Sequence, residues 1–343
     1  MIILEGGGKT KDYQKDLEDK EQPTPERIYD LVTGGWRANI LKTAIQLDVF
    51  TTIANGPCTV EAIAAAENWA IRPTRLLLDG LCPMGFLTKK GGEYLLTPIS
   101  EAFLVSSSET YGGEYVLATL ANDAWQQLVE AVKTGRHQTP DLFEVWEQDA
   151  AMESMRGSRI TQGLEMWRAV GIDPDTKQTI RVLDLASGCG MKSFVLAQRN
   201  PNASITCVDW PGVLQVAKRL AEKWDILKQV SCNAGDATTM DYGDSLFDVV
   251  LLGQITYYWG PNQNKSVLKK VHRALTPGGL VVIHAPIVDE ERCVSNYLTF
   301  AVVIFLFNKE AGFYTFPEYK AFLEEADFSK VTKHSEWLIS AKK

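Results

Sequence analysis

Two spacings of apolar side chains divide this chain. Up to about residue 170 the apolar positions recur every three to four residues, the period of one helix face. ERIYDLVTGGWRANILKTAIQLDVFTTIA opens with Thr24 as N-cap and Pro25 in the first turn, and its helical spacing is interrupted at Gly34-Gly35. CTVEAIAAAENW and RPTRLLLDGLCPMGF predict two short helices. FLTKKGGEYLLTP predicts two strands around a Lys89-Lys90-Gly91-Gly92 turn. Three helices closed by a two-stranded wing form a winged-helix pattern. Ser100–Val170 predicts further helices, rich in large apolar residues.

From Thr179 the period changes. IRVLDLA, SITCVDW, VSCNAGD, FDVVLLG and GLVVIHAP read as buried strands, with MKSFVLAQRN and VLQVAKRLAEKWD as helices among them. That alternation predicts an α/β fold with a doubly wound, mostly parallel sheet. KVTKHSEWLISAKK predicts a closing pair of strands, the last antiparallel at or near an edge. The expected organisation is a flexible tail at 1–22, a winged-helix-like module at 23–105, a helical linker and pocket region at 106–172, and an α/β domain at 173–343. YLTFAVVIFLF, from Tyr297, is too short for a bilayer, which needs roughly 20 apolar residues, and reads as a buried helix or a pocket wall.

Composition narrows the classes. Over 343 residues, 45% are hydrophobic and 23% charged, and the net charge is −8. That balance disfavours a nucleic-acid binder relying on overall positive charge. The helix that would enter a DNA groove carries Arg72 and Arg75 at its start, then an apolar face and no basic stripe, so the module is expected to join two subunits. The six cysteines show no CxxC pair, and the four histidines are scattered. Free thiols in a reducing cytoplasm, no metal centre and no membrane association are therefore expected.

The candidate chemistry lies at strand ends. Asp184-Leu-Ala-Ser-Gly188-Cys-Gly190 is a glycine turn of the kind that lets backbone approach a ligand. Asp209 closes the second strand about 20 residues on, where a carboxylate can hold both ribose hydroxyls. Asp236, followed by Ala237, can accept from an exocyclic adenine amine. No GKS or GKT follows the turn, which disfavours a P-loop. Met152, Met155, Met166 and Trp167 supply what an adaptable apolar substrate pocket needs.

DLASGCG, VDWPGV, AGDAT, LTPGGLVVI and YTFPEYKAFLEEADF, in that order behind a winged helix, resemble the S-adenosylmethionine-dependent small-molecule O-methyltransferases of the plant caffeate and bacterial polyketide type. The resemblance implies a class I methyltransferase fold, Rossmann-like, with an N-terminal helical winged-helix dimerisation domain. It also implies a homodimer with swapped N-terminal helices and a small-molecule acceptor bound beside the cofactor. Asp184, Gly188 and Gly190 would lie against the methionine half of S-adenosylmethionine, Asp209 at ribose, and Asp236 with Ala237 at adenine. Gly253 and Gln254 would line the methyl end, and Trp210 could flank adenine. The glycines usual at 186 and 187 are here Ala186 and Ser187, small enough to keep room.

One departure bears on the chemistry. In LLGQITYYWG, Tyr257 stands where the family has its proton-removing histidine, Tyr258 where it has an acid, and Trp259 at its tryptophan. The acid that orients the histidine is also missing near Asn296–Val303, where Asn296 is the nearest polar candidate. A tyrosine of pKa ~10 is a poor base at neutrality beside an imidazole of ~6.5. Three routes remain open at this point. In the first, the acceptor needs little base, as an acidic phenol, an enol, a carboxylate or an activated carbon, with Tyr257 orienting it. Bacteriochlorophyllide C-methyltransferases resemble this chain in having tyrosine there. Alternatively, His284 takes the base role, or no methyl leaves the cofactor, as in pericyclase-like and hydroxylase-like offshoots. A winged-helix sensor of small molecules is the non-enzymatic alternative.

Overall fold

The computed structural model describes residues 24–121, 124–135, 143–293 and 297–343. The tail expected at 1–22 lies outside them, as does Asn296. The chain divides into two compact units at Asp123/Ala124.

The first unit opens with α1 (Glu26–Gln46), which runs straight through Gly34 and Gly35. The expected interruption is absent. A glycine costs a helix about 1 kcal/mol against alanine, and the apolar periodicity on both sides continues the helix across the pair. The Asn39 amide also donates to the Gly35 carbonyl at 2.9 Å. The chain turns instead at Asp48, in the left-handed region with φ 51°, and continues in α2 (Val49–Ala54). Next comes α3 (Val60–Glu67), where the Thr59 hydroxyl caps the helix by accepting from the Ala62 N–H at 3.2 Å. It is followed by α4 (Ile71–Leu81).

The wing is β1 (Leu87–Lys90) paired antiparallel with β2 (Glu93–Leu96). Gly91 and Gly92 turn between them at φ 60° and 91°. Val49, Phe50, Ile63, Leu78, Leu81, Leu87 and Tyr94 form the buried centre of this unit. The Tyr94 hydroxyl donates to Asp79 Oδ1 at 2.6 Å, which fastens the wing to α4. Two more helices follow, α5 (Pro98–Phe103) and α6 (Gly113–Ala121). Along α1, Ile28, Tyr29, Leu31 (79% exposed) and Trp36 (62% exposed) face outward.

The second unit begins with α7 (Ala124–Thr134), α8 (Phe143–Ser154) and α9 (Ser158–Ala169). The sheet then builds as β3 (Ile180–Leu185), α10 (Met191–Arg199), β4 (Ala203–Asp209), α11 (Pro211–Lys223), β5 (Val230–Ala234), β6 (Phe247–Gly253), α12 (Pro261–Ala274) and β7 (Leu275–His284). After β7 come the short β8 (Ile287–Val288), α13 (Tyr297–Phe307), the short β9 (Tyr314–Thr315) and α14 (Phe316–Glu325). The chain ends in β10 (Ser329–Ser335) and β11 (Leu338–Lys342).

The seven-stranded sheet has the order β10-β11-β7-β6-β3-β4-β5. β3 through β7 are mutually parallel, and β11 is antiparallel to both its neighbours. The final strand therefore sits one place in from the edge, with β10 outside it. Buried on both faces, β6 needs a continuous apolar run, and Val249-Val250-Leu251-Leu252 supplies it. Strand order reverses between β3 and β6, so a crevice opens at their carboxyl ends, where ligands bind in such sheets. α13 buries Phe300, Ile304 and Leu306 and leaves Val302 exposed. Among the described residues no helix is long and apolar enough to cross a membrane.

Candidate active site

The crevice holds a cavity of about 300 Å³ walled by α8, α9, α10 and the tips of β3, β4 and β6. Its floor is the glycine turn after β3. Asp184 is buried there and accepts from the Ser193 hydroxyl at 2.6 Å, while burial raises its pKa to about 7. Ala186, Gly188 and Gly190 follow in the left-handed region at φ 52°, 57° and 76°. Three such residues in five fold the turn tightly. At Gly190 a Cβ would fall inside the Phe194 ring, so only glycine fits where α10 begins. Ala186 holds its left-handed geometry despite a Cβ, a strain of the kind retained at ligand sites.

Asp209, at the tip of β4, binds this turn directly. Its Oδ2 accepts from the Gly188 N–H at 2.8 Å and its Oδ1 from the Trp210 N–H at 2.7 Å. Burial raises its pKa to about 6, against the pull of those two N–H groups toward the ionised form. Each oxygen keeps a further lone pair, and both Asp209 and Trp210 line the cavity.

Asp236 lies beyond β5. Its Oδ1 accepts from the Thr238 N–H at 2.7 Å and from the Thr238 hydroxyl at 2.8 Å. The loop it starts is fastened at three carbonyls. The Tyr242 hydroxyl donates to that of Ala237, and the Lys270 ammonium to those of Thr238 (2.7 Å) and Met240 (2.9 Å). Asp236 and Ala237 are not among the cavity-lining residues.

The opposite wall is aromatic. Gly253 ends β6, and Gln254 then turns left-handed at φ 61° with its N–H donating to the His284 carbonyl at 2.8 Å. The short turn Thr256–Tyr258 follows. Tyr257 is fully buried, with ring centroids 5.0 Å from Tyr258, 5.0 Å from Phe313 and 6.2 Å from Phe300. Tyr258 meets Trp146 of α8 edge to face at 5.4 Å. Every carbonyl in this stretch is occupied. Asn264 Nδ2 donates to those of Thr256 and Trp259, the Gly312 N–H to that of Tyr257, and Asn308 Nδ2 to that of Tyr258. The Tyr314 hydroxyl also donates to Trp259.

The remaining sequence candidates lie elsewhere. His284 is buried against Trp337 rather than lining the cavity, and its Nδ1 has no hydrogen-bond partner. Burial, then the positive charges of Lys192 and Arg159, push its pKa well below the usual value, so it stands neutral. Met166 and Trp167 face the core between α9 and α10, where the Trp167 indole N–H donates to the Lys192 carbonyl at 2.8 Å. Met152 and Met155 also fall outside the cavity lining.

The helix face that does line it carries Trp146, Asp149, Ala150 and Glu153. Those positions recur at i, i+3, i+4 and i+7, a spacing readable in WEQDAAME. Met152 lies on another face of the same helix, and Met155 follows its end. Arg159 and Lys192 complete the charged end of the cavity. Among the described residues no group of acidic, histidine or cysteine side chains could hold a metal ion.

Two family models match the chain: an O-methyltransferase dimerisation domain over residues 29–106 and a methyltransferase domain over residues 182–279. The chain is similar to the 3-hydroxy-5-methyl-1-naphthoate 3-O-methyltransferase of Streptomyces sahachiroi, at 28% identity over 90% of each chain. It is also similar to the tetracenomycin polyketide synthesis 8-O-methyl transferase of Streptomyces glaucescens, at 26% identity over 90% of this chain and 92% of that one. Among solved structures, human N-acetylserotonin methyltransferase in complex with S-adenosylmethionine shares the fold. Its TM-score is 0.70 at 22% identity, covering 95% of this chain and 99% of the other.

Proposed function

We propose, on the premise that this chain belongs to the S-adenosylmethionine-dependent O-methyltransferase family, that it methylates an acidic hydroxyl of a flat, largely apolar acceptor without a histidine base. The enzyme is a methyltransferase and its cofactor is S-adenosylmethionine. When bound, that cofactor supplies an electrophilic methyl group on a sulfonium, which an oxygen nucleophile displaces in line.

The observation that carries this reading is the union of turn and acid. One carboxylate, Asp209, grips the Gly188 N–H while lining the same cavity. A nucleoside seated there meets the ribose acceptor and the close-approach turn together. Gly190, with no room for a side chain, keeps the start of α10 tight against the floor. The ribose is held by Asp209, the adenine by the end of the cavity toward Asp236, and the methionine half by the turn from Asp184 to Gly190.

On the acceptor side, Trp146, Ile255, Tyr257 and Tyr258 offer flat apolar faces. They position the acceptor oxygen against the methyl and exclude water, and orientation of this kind can contribute several kcal/mol to a barrier. Tyr257 orients the acceptor rather than removing its proton, because a phenol of pKa ~10 stays protonated near neutrality. His284 stays neutral but stands behind the cavity wall. The acceptor must therefore arrive largely ionised, as an acidic phenol or enol does. The naphthoate named for the Streptomyces sahachiroi relative is a flat hydroxylated acceptor of this sort.

The first unit joins two copies. The dimerisation-domain match and the outward apolar side chains of α1 support a homodimer through it. Incubation with methyl-labelled cofactor and a panel of acidic phenols, enols, indoles and tetrapyrroles, read by mass spectrometry, tests the reading. The expected product gains one labelled methyl on oxygen. Label on carbon, or an altered product without label, would refute hydroxyl methylation.

A further inference from the structure

We propose that Lys192, working beside Arg159, forms a carboxylate-binding subsite at the charged end of the cavity. The inference rests on the reading of this cavity as the S-adenosylmethionine site and adds a residue that the sequence motifs do not single out.

Lys192 is the second residue of α10, and its backbone is fixed by the Trp167 indole. Its side chain crosses Gly253 at the tip of β6. A Cβ added there would lie 3.6 Å from Lys192 Cδ and 3.9 Å from Nζ, in contact with both. The ammonium thus stands against the end of the strand that opens onto the cavity, and Lys192 lines that cavity. Among the described residues its ammonium makes no hydrogen bond or ion pair.

No carboxylate pairs with it directly, although Glu153 and Asp184 attract it and Asp149 and Asp209 line the same cavity. Arg159 Nε donates to Glu153 Oε2 at 2.8 Å and its Nη1 to Gln162 at 2.9 Å. The other Glu153 oxygen accepts from Arg156 at 2.8 Å. Glu153 is thus engaged by both guanidiniums and not by Lys192. Asp184, below the turn, is engaged by Ser193. The Cys189 thiol is pushed up to about 11 by burial, and the buried His284 is neutral, so neither supplies negative charge. An ammonium removed from bulk water without a paired counter-charge is costly. An incoming carboxylate removes that cost, with Lys192 as its direct partner and Arg159 lining the same cavity.

Two molecules can bring such a group: the α-carboxylate of the methionine half, or an acid on the acceptor. Calorimetry on the full chain, wild type and Lys192→Met, separates them. The probes are S-adenosylhomocysteine, 5′-methylthioadenosine (which lacks the amino acid), and 3-hydroxy-2-naphthoate against 2-naphthol in saturating S-adenosylhomocysteine. If the cofactor supplies the carboxylate, Lys192→Met weakens S-adenosylhomocysteine about tenfold to a hundredfold and leaves methylthioadenosine unchanged. If the acceptor supplies it, the naphthoate alone loses that affinity and naphthol does not.

Lys192→Arg restores the binding lost, which a merely structural residue would not require. Burial, then repulsion from Arg159, lowers the amine pKa to about 8, against the opposing pull of Glu153 and Asp184. Wild-type affinity for the carboxylate probe therefore falls as pH rises through about 8, and Lys192→Met lacks that slope. Affinities of Lys192→Met within twofold of wild type for both carboxylate probes overturn the subsite. No heat from wild type with either nucleoside overturns the cofactor reading first, and the subsite with it.

Discussion

Replacing Asp209 with asparagine removes one negative charge and one acceptor oxygen while keeping size and shape. In the native protein two backbone N–H groups, at 2.8 and 2.7 Å, converge on the two carboxylate oxygens. The carboxamide satisfies one N–H and turns its own NH2 toward the other, leaving a buried donor unpaired. That loss costs about 1–3 kcal/mol of folding stability.

Ligand binding suffers in parallel. Two hydroxyls donating to an ionised carboxylate are worth about 1.5–3 kcal/mol each, and the amide retains roughly half of this. A loss of about 1.5–3 kcal/mol is a rise in Kd of roughly 10-fold to 150-fold. Titration calorimetry with S-adenosylhomocysteine at pH 7.5 measures it.

The pH dependence adds a second signature. Asp209 has its pKa raised to about 6, so the folded state holds its proton more tightly than the unfolded chain does. Its contribution to folding stability therefore improves as pH falls from about 6 toward 4. Its ability to accept from ribose falls over the same interval. Asp184, raised to about 7, titrates nearby in both proteins, so the relevant quantity is the difference between wild type and Asp209→Asn. Affinity of the variant within threefold of wild type at pH 7.5 would refute the assignment of Asp209 to the nucleoside.

Other perturbations separate chemistry from scaffold. Tyr257→Phe keeps the buried ring, so kcat is expected to change severalfold while the calorimetric Kd for S-adenosylhomocysteine stays within twofold; the reverse pattern would place the hydroxyl at the cofactor. Asn264→Ala removes one donor from each of the buried carbonyls of Thr256 and Trp259, the latter still held by Tyr314, and should cost about 1–3 kcal/mol in urea unfolding. Ala186→Gly relieves a left-handed alanine and is expected to raise stability by up to about 1 kcal/mol, with cofactor affinity retained. Leu31→Asp, on the exposed face of α1, should shift light-scattering mass from dimer to monomer.

The α/β half was readable because both signals in it are local. A buried parallel strand must be apolar throughout, and a sharp turn toward a ligand must lack side chains, so FDVVLLG and DLASGCG declare themselves. Asp209 and Trp210 follow for the same reason, since they sit directly on a strand tip that lines the cavity. Legibility ended where helices cross. Which face of α8 meets the cavity depends on its packing along α11, and Met152 and Met155 read as pocket residues only until that rotation is known. Met166 and Trp167 were claimed by the core because Gly163 lets α9 close on α10, where a Cβ would lie 2.8 Å from Val195. Lys192 is not legible in the sequence because one lysine at a helix start ordinarily faces solvent, and only the tertiary structure puts Gly253 beneath it. The glycine pair in α1 misled in the opposite direction, since a local breaker was outweighed by the long apolar stripe running through it.

The stretch from Thr256 to Trp259 has its main chain moored by partners that do not involve the side chain at 257. Asn264, Gly312, Asn308 and Tyr314 all take hold of oxygens that any amino acid would present. The main-chain bonds of this stretch would survive a change of side chain at 257; such a change would be felt instead through the buried ring that packs on Tyr258, Phe300 and Phe313.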